Sequence, residues 1–279
     1  MQGLQQARLL LFFYLGISVD DLLEDYEQLS ADVFSSPKPS FIALFHPKYD
    51  LKNLEKDLKK LLVKFGLRED ILLRDLPKKI VIPSVSLDDS QSKRWKLEFH
   101  ENLSPDGGNL SVVEILLKTS AAPTYFASKD GSIDGGMGMK DPSLASIMFA
   151  YNPEKSDLRK FALLSIGTGY NEKFLEGDEK WGATQWLITG SKETGRLPLL
   201  NMLMDVEEQS SAQVCAKLLG NRYRKVDFNL PKLISLDDYK HIKNLIKYTQ
   251  DFILKDKVVW QENCEWVSNY FNSVNPSNN

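Results

Sequence analysis

Three short segments interrupt the hydrophobic periodicity of this sequence with glycine and other small residues. They are residues 119–126 (T-S-A-A-P-T-Y-F), 133–136 (I-D-G-G) and 163–169 (L-L-S-I-G-T-G). Open α/β sheets place functional sites at strand ends, where turns of this kind occur. In the second segment an acid, Asp134, is followed by Gly135 and Gly136, which have no Cβ, so the backbone can turn sharply there and approach another segment closely.

Each segment also has a simpler interpretation. Asp-Gly is a common turn dipeptide, so Asp134 could serve only to close a turn. The Gly167-Thr168-Gly169 turn suggests a phosphate loop, but it lacks the third glycine of the dinucleotide fingerprint and the Lys-Ser/Thr of the P-loop. Most side chains of residues 119–126 are too small to form the core of one helix or strand. We expect this segment to form a wall packed against another element.

The spacing of the histidines and cysteines along the sequence does not match any metal-binding pattern. His46, His100 and His241 are far apart and form no H-x-x-x-H pattern. Cys215 and Cys264 lie outside any C-x-x-C pair. We expect two buried free thiols in a reducing compartment.

Composition excludes several classes of protein. Of the 279 residues, 42% are hydrophobic and 26% are charged, which is ordinary globular composition. Lys plus Arg number 35 and Asp plus Glu number 38, so the chain lacks the basic excess of a nucleic-acid binder. The apolar run at residues 9–17 is far shorter than the ~20 residues that span a bilayer, and no small-residue cleavage site follows it.

One lysine-rich stretch could be taken for a patch that binds anionic lipid. It contains Lys52, Lys56, Lys59, Lys60 and Lys64. Acids are interleaved with these lysines, and leucines repeat between them at threes and fours. The pattern therefore favours the solvated face of an amphipathic helix.

Helices and strands are predicted to alternate along the chain. Predicted helices cover residues 9–14, a segment capped by Ser18, residues 51–65, 111–118 and 197–219, and a last segment that opens at Ser235 and Asp238. Predicted strands cover residues 80–85, 95–99, 161–166 and 222–228. This alternation indicates an α/β fold with a layered, mostly parallel sheet flanked by helices.

The three small-residue segments, taken in order, resemble the C-terminal two thirds of the patatin-like phospholipase domain. Further matching segments are D-P-S-L-A-S at 141–146, W-G at 181–182, W-L at 186–187, P-L-L at 198–200, L-M-D at 203–205, L-L-G-N-R-Y-R at 218–224 and S-L-D-D at 235–238. The resemblance covers about residues 1–255 and implies a partial, N-terminally truncated domain. Residues 256–279 are then a C-terminal helix with a frayed tail at 272–279.

The resemblance implies a lipid acyl hydrolase that uses a Ser-Asp dyad without histidine. In that family a G-x-S-x-G elbow exposes the nucleophile, and a G-G-G-x-[RK]-G loop supplies the oxyanion hole. Asp134 matches the family's acid, the general base, with Gly135 and Gly136 as motif support. It needs a raised pKa to work near neutrality, and burial beside Ile133 and Met137 would raise it.

The sequence departs from the family at the nucleophile. No G-x-S-x-G occurs in it, and Gly16-Ile17-Ser18 is only a half-match. The family's spacing would put the serine near Leu4, with the oxyanion loop before Met1. Lys140-Asp141 replaces the usual Asn-Asn. As given, the chain is therefore expected to be inactive.

Two hypotheses follow. In the first, the chain is the C-terminal part of a patatin-like acyl hydrolase, cut by a misplaced start or a frameshift, and translation of the upstream DNA should reveal both missing motifs. In the second, it is a catalytically dead lipid-binding or interaction module. The expected substrate is a fatty acyl ester of a glycerophospholipid or lysophospholipid. We expect no metal or organic cofactor, no nucleic-acid partner, and a cytoplasmic location with transient contact at a membrane surface.

Overall fold

The computed structural model describes residues 19–43, 45–88, 93–175, 180–232 and 234–271. The predictions for residues 9–14, Leu4, Ser18 and residues 272–279 lie outside these ranges. The chain divides into two compact units. The first comprises residues 1–140 and 235–240, and the second comprises residues 141–234 and 241–279.

Both units contain helices and strands, although three described α-helices precede the first strand of the first unit. In the first unit they are α1 (Val19–Phe34), α2 (Ser40–Ala43), α3 (Leu51–Lys64), β1 (Val81–Ser86), β2 (Lys96–Glu101), α4 (Val112–Thr119) and β3 (Ser132–Asp134). In the second they are α5 (Ser143–Ala150), β4 (Leu163–Ile166), α6 (Pro198–Leu219), β5 (Tyr223–Val226), α7 (Ile242–Lys255) and α8 (Lys257–Phe271). A π-helical turn covers Gln185–Thr189. The predicted mixed α/β class is therefore confirmed.

The strands of the described residues form two small sheets. In the first unit the order is β2-β1-β3, and both pairings are antiparallel. In the second unit β4 pairs with β5 in parallel. A single layered, mostly parallel sheet stays a prediction, because the pairings seen here are short and of both kinds.

Local sequence accounts for the clearest helices. The Asp50 side chain accepts a hydrogen bond from the Lys52 amide at the start of α3, and Gly66 has a φ of +77° just beyond its end. Four leucines of α3, from Leu54 to Leu62, are buried, whereas Lys59 and Lys60 form ion pairs with acids one turn earlier. This agrees with the predicted solvated lysine face.

The main core of the first unit is aliphatic. It joins α1, α3 and α4 with the start of β1, through residues that include Val33, Leu54, Leu62, Ile82 and Leu116. In the second unit a smaller cluster contains Ile147, Cys215 and Leu219. Within the described residues, no helix is both long and apolar enough to cross a bilayer.

Two sequence predictions about solvent exposure are wrong. Cys215 is buried, as expected, and burial raises the pKa of its thiol to about 11. Cys264 is exposed, because it lies on a face of α8 that turns to solvent. Trp95 is not the first residue of a half-buried strand: β2 begins at Lys96, and the Trp95 residue is 82% exposed.

The predicted start of the last helix at Ser235 is also wrong, since α7 begins at Ile242. The Asp237 carboxylate, expected near a helix N-terminus, accepts hydrogen bonds from Lys48 Nζ and, at 2.7 Å, from Tyr49 Oη. A contact distant in sequence thus replaces the local cap.

Candidate active site

Asp134 is the last residue of β3 and lies opposite Ser84 of the central strand β1. Directly opposed residues of an antiparallel pair project their side chains to the same face of the sheet. The Asp134 amide donates a hydrogen bond to the Ala121 carbonyl at 3.1 Å, which ties β3 to the end of α4. Asp134 is therefore fixed by two neighbouring segments.

The carboxyl group of Asp134 is buried, with the residue 8% exposed. Its Oδ1 atom accepts a hydrogen bond from the Gly136 amide at 2.7 Å, so that the D-G-G sequence closes a tight turn. Burial raises the pKa of this carboxyl, and the Gly136 amide opposes the shift.

Gly135 is required by a close backbone approach. A Cβ atom at this position would lie 2.1 Å from the carbonyl oxygen of Pro83 on β1. No side chain fits there unless the strands move apart. The glycine after the acid therefore lets the turn sit directly against the central strand.

Residues 119–126 form the predicted wall. Thr119, Ala121, Ala122 and Phe126 are buried, and Thr119 Oγ1 donates a hydrogen bond to the Pro83 carbonyl at 2.7 Å. The segment packs against β1 and β3, the strand that carries Asp134. Two of the three small-residue segments are thus brought together.

By the register of the three strands, Ser84 and His100 lie on the same face of the sheet as Asp134. Ser84 Oγ is hydrogen-bonded to His100 Nε2 at 2.9 Å, and Lys118 Nζ donates to Ser132 Oγ at 3.2 Å. Burial, and secondarily the charge of Lys118, lower the pKa of His100. Sequence analysis missed this Ser-His pair, because only the β1–β2 register brings the two residues together.

The third segment belongs to the second unit, where its turn holds a carboxylate of the chain itself. The Gly169 amide donates to Asp227 Oδ1 at 3.0 Å, and a Cβ at Gly167 would lie 2.1 Å from Asp227 Cγ. Burial raises the pKa of Asp227. Sequence analysis missed this acid, although a lone acid between Val226 and Phe228 of a predicted strand was the available signal.

Among the described residues, no group of three or more His, Cys, Asp or Glu side chains could hold a metal ion. The candidate site therefore consists of one buried acid, its glycine turn and neighbouring hydroxyl and imidazole groups. Such an arrangement can take up and release a proton.

Comparison with known proteins identifies similar chains at modest identity. The chain is 29% identical over 187 residues to protein teg of Priestia megaterium, which covers 60% of this chain and 59% of that protein. It is 24% identical over 241 residues to a cGAMP-activated phospholipase of Vibrio cholerae, with coverages of 77% and 65%. It is 26% identical over 214 residues to patatin-like protein 1 of Arabidopsis thaliana, with coverages of 65% and 49%.

The chain spans less than two thirds of the length of each of these relatives. No protein-family profile matches it. The names of the relatives support a patatin-like family, in agreement with the resemblance drawn from the motifs.

Proposed function

We propose that this chain supplies the acid of a Ser-Asp dyad in a patatin-like lipid acyl hydrolase, with Asp134 as the general base. The similarity to a phospholipase and to a patatin-like protein supports a lipid hydrolase at the level of the family. The observation that carries the proposal is the state of the Asp134 carboxyl. It is buried, held through Oδ1 by the Gly136 amide, and has its pKa raised by that burial.

The chemistry follows from this geometry. The Asp134 carboxylate takes the proton of a serine hydroxyl as that oxygen attacks the acyl carbon of an ester, and it passes this proton to the alcohol oxygen as the ester bond breaks. Water then attacks the acyl-serine, giving its proton to the same carboxylate, which returns it to the serine oxygen as the fatty acid leaves. A raised pKa brings a carboxyl closer to the working pH, which makes it a better proton acceptor for this step. The Gly136 amide fixes one carboxyl oxygen, so the other keeps a defined direction.

The nucleophile is not among the 279 residues, because no G-x-S-x-G occurs in them. This polypeptide by itself is therefore proposed to be inactive, and the dyad needs a serine from outside these residues. The proposed substrate is a fatty acyl ester of a glycerophospholipid or lysophospholipid, reached by transient contact with a membrane from the cytoplasm. The reaction needs no metal or organic cofactor.

The first test uses two proteins. The 279-residue chain is treated with a fluorophosphonate probe, and no labelled serine is expected. A chimera then joins a patatin-like segment containing G-G-G-x-[RK]-G and G-x-S-x-G to its N-terminus, and hydrolysis of a fluorogenic fatty acyl ester is measured. The chimera is expected to gain activity, and Asp134→Asn is expected to reduce it on the order of 100- to 10,000-fold.

Asp130→Asn is the matched control, since this exposed acid precedes Asp134 by four residues and pairs with Lys129. An Asp134→Asn chimera as active as the Asp130→Asn chimera would exclude the general-base role. A folded chimera without activity that still binds phospholipid vesicles would favour the lipid-binding module.

A further inference from the structure

The turn between β1 and β2 exposes a tryptophan flanked by cations. Lys93, Arg94, Trp95 and Lys96 are consecutive and all exposed, and Trp95 is 82% exposed. Lys93 adopts a positive φ of 51°, an uncommon backbone conformation for a residue other than glycine. Trp95 does not belong to the core cluster that the described residues of the first unit form.

An open cavity of about 590 Å³ lies at the same turn. It is lined by Leu87, Asp88, Lys93, Arg94 and Trp95. Leu87 is itself 38% exposed, so the cavity combines apolar walls with two cations, Lys93 and Arg94, and one acid, Asp88. We call Leu87, Asp88 and residues 93–96 the hairpin tip.

The cations of the hairpin tip differ from the lysines of α3. Lys59 and Lys60 of α3 are neutralised by acids of their own helix. Within the described part of the chain, Lys93, Arg94 and Lys96 form no ion pair. These charges therefore remain available to an external anion.

We propose that the hairpin tip is a docking site for an anionic phospholipid surface. An indole is stable at the boundary between head groups and acyl chains, where its ring is apolar and its N–H stays hydrated. Adjacent lysine and arginine side chains are attracted to anionic head groups. The hairpin tip lies apart in sequence from Asp134, and it adds a surface of contact to the proposed hydrolase.

The role of this docking site rests on the proposed function, but its test measures vesicle binding and does not depend on ester hydrolysis. The purified 279-residue chain is mixed with vesicles of phosphatidylcholine alone, or of phosphatidylcholine with about 30% phosphatidylserine, at about 0.1 M salt. Flotation gives the bound fraction. Binding is expected for the anionic vesicles and is expected to weaken as salt rises.

Variants then assign the contact to the hairpin tip. The triple variant Lys93→Gln, Arg94→Gln, Lys96→Gln is expected to lower the partition coefficient on the order of 100-fold. Trp95→Ala is expected to lower it about tenfold. The matched control removes three positive charges elsewhere, through Lys52→Gln, Lys56→Gln and Lys78→Gln, which are all exposed.

The control is expected to stay within about threefold of the unchanged chain. Equal binding to both kinds of vesicle, or absence of binding, would overturn the proposal. So would an equal loss in the control, because net charge alone would then explain the attraction. A chain that binds through the hairpin tip while its chimera fails to hydrolyse esters would leave this inference standing and reject the proposed activity.

Discussion

Buried acids of this protein take opposite pKa shifts according to the donors around them. Burial raises the pKa of Asp134, and the hydrogen bond from the Gly136 amide opposes the shift without cancelling it. Burial also acts on Asp237, but hydrogen bonds from Lys48 and Tyr49 outweigh it and lower the pKa of that carboxyl. Asp237 is thus held as an anion, whereas Asp134 is the acid that exchanges a proton more readily near neutral pH.

Replacing Asp134 by asparagine should change how stability depends on pH. The folded state holds the proton of Asp134 more tightly than the unfolded chain does. Its contribution to stability is therefore present below the unfolded pKa of about 3.9 and is lost as pH rises through the folded pKa. We expect the melting temperature of Asp134→Asn, relative to the unchanged chain, to increase between pH 4 and pH 7 in thermal unfolding followed by circular dichroism.

Glu114→Gln is a control of opposite sign. Hydrogen bonds from Ser111 lower the pKa of Glu114, so its contribution is present above the unfolded pKa and lost as pH falls through the folded pKa. This variant should be least stable, relative to the unchanged chain, at pH 7. A parallel pH trend in both variants would contradict the assigned state of Asp134.

Single residues of the candidate site were only partly predictable from sequence. The I-D-G-G segment identified Asp134 and the need for glycine beside it. It could not identify Ser84 and His100, which are 16 positions apart and meet across β1 and β2. The turn at Gly169 was recognised. Its hydrogen-bond partner Asp227 was not, because the two residues are 58 positions apart and meet only when β4 pairs with β5.

At the scale of elements, the contact between β1 and β3 depends on one missing side chain. Gly135→Ala would place a methyl group 2.1 Å from the Pro83 carbonyl, so the strands must separate. We expect a loss of about 3 kcal/mol in the free energy of unfolding, measured by urea denaturation. Gly182→Ala is the control, because its new Cβ would meet only Gln185 Oε1, at 3.5 Å.

The control should change stability by less than about 0.5 kcal/mol. If the two variants were equally stable, the close approach of the turn to β1 would be refuted. A lower free energy of unfolding in Gly135→Ala alone would support the close contact between this turn and β1, which positions Asp134.

Elements with local signals were predicted well, and elements that depend on distant contacts were not. Ser111 and Glu114 form a capping box, and α4 follows Ser111 as the sequence indicated. Ser235 and Asp238 gave a similar local signal, yet α7 begins at Ile242. The Asp237 carboxylate binds Lys48 and Tyr49 instead, a contact that no local pattern contains.

At the scale of the whole molecule, residues 235–240 belong to the first unit although the chain before and after them belongs to the second. Asp237 anchors this segment through Lys48 and Tyr49. In Asp237→Ala we expect hydrogen exchange of residues 235–240 to become about tenfold faster or more, because a partly buried ionic contact is lost. Mass spectrometry of peptic peptides measures this rate.

Ser235→Ala is the matched variant, since it removes only the hydrogen bond of 2.8 Å within the segment from Ser235 Oγ to Asp237 Oδ1. Its exchange should change much less. Unchanged exchange in Asp237→Ala would show that apolar packing, through Leu236 and Tyr239, holds the segment instead.

The return of residues 235–240 to the first unit also bears on synthesis. The chain emerges from the ribosome with its N-terminus first. The early helices and strands of the first unit are therefore made long before residues 235–240, which complete that unit. Nearly 190 further residues must be translated after Lys48 before Asp237 can form its ion pair with it. In a nascent chain stalled before residue 235, the first unit would lack residues 235–240. Chaperones that bind such a chain would encounter the first unit in this incomplete form.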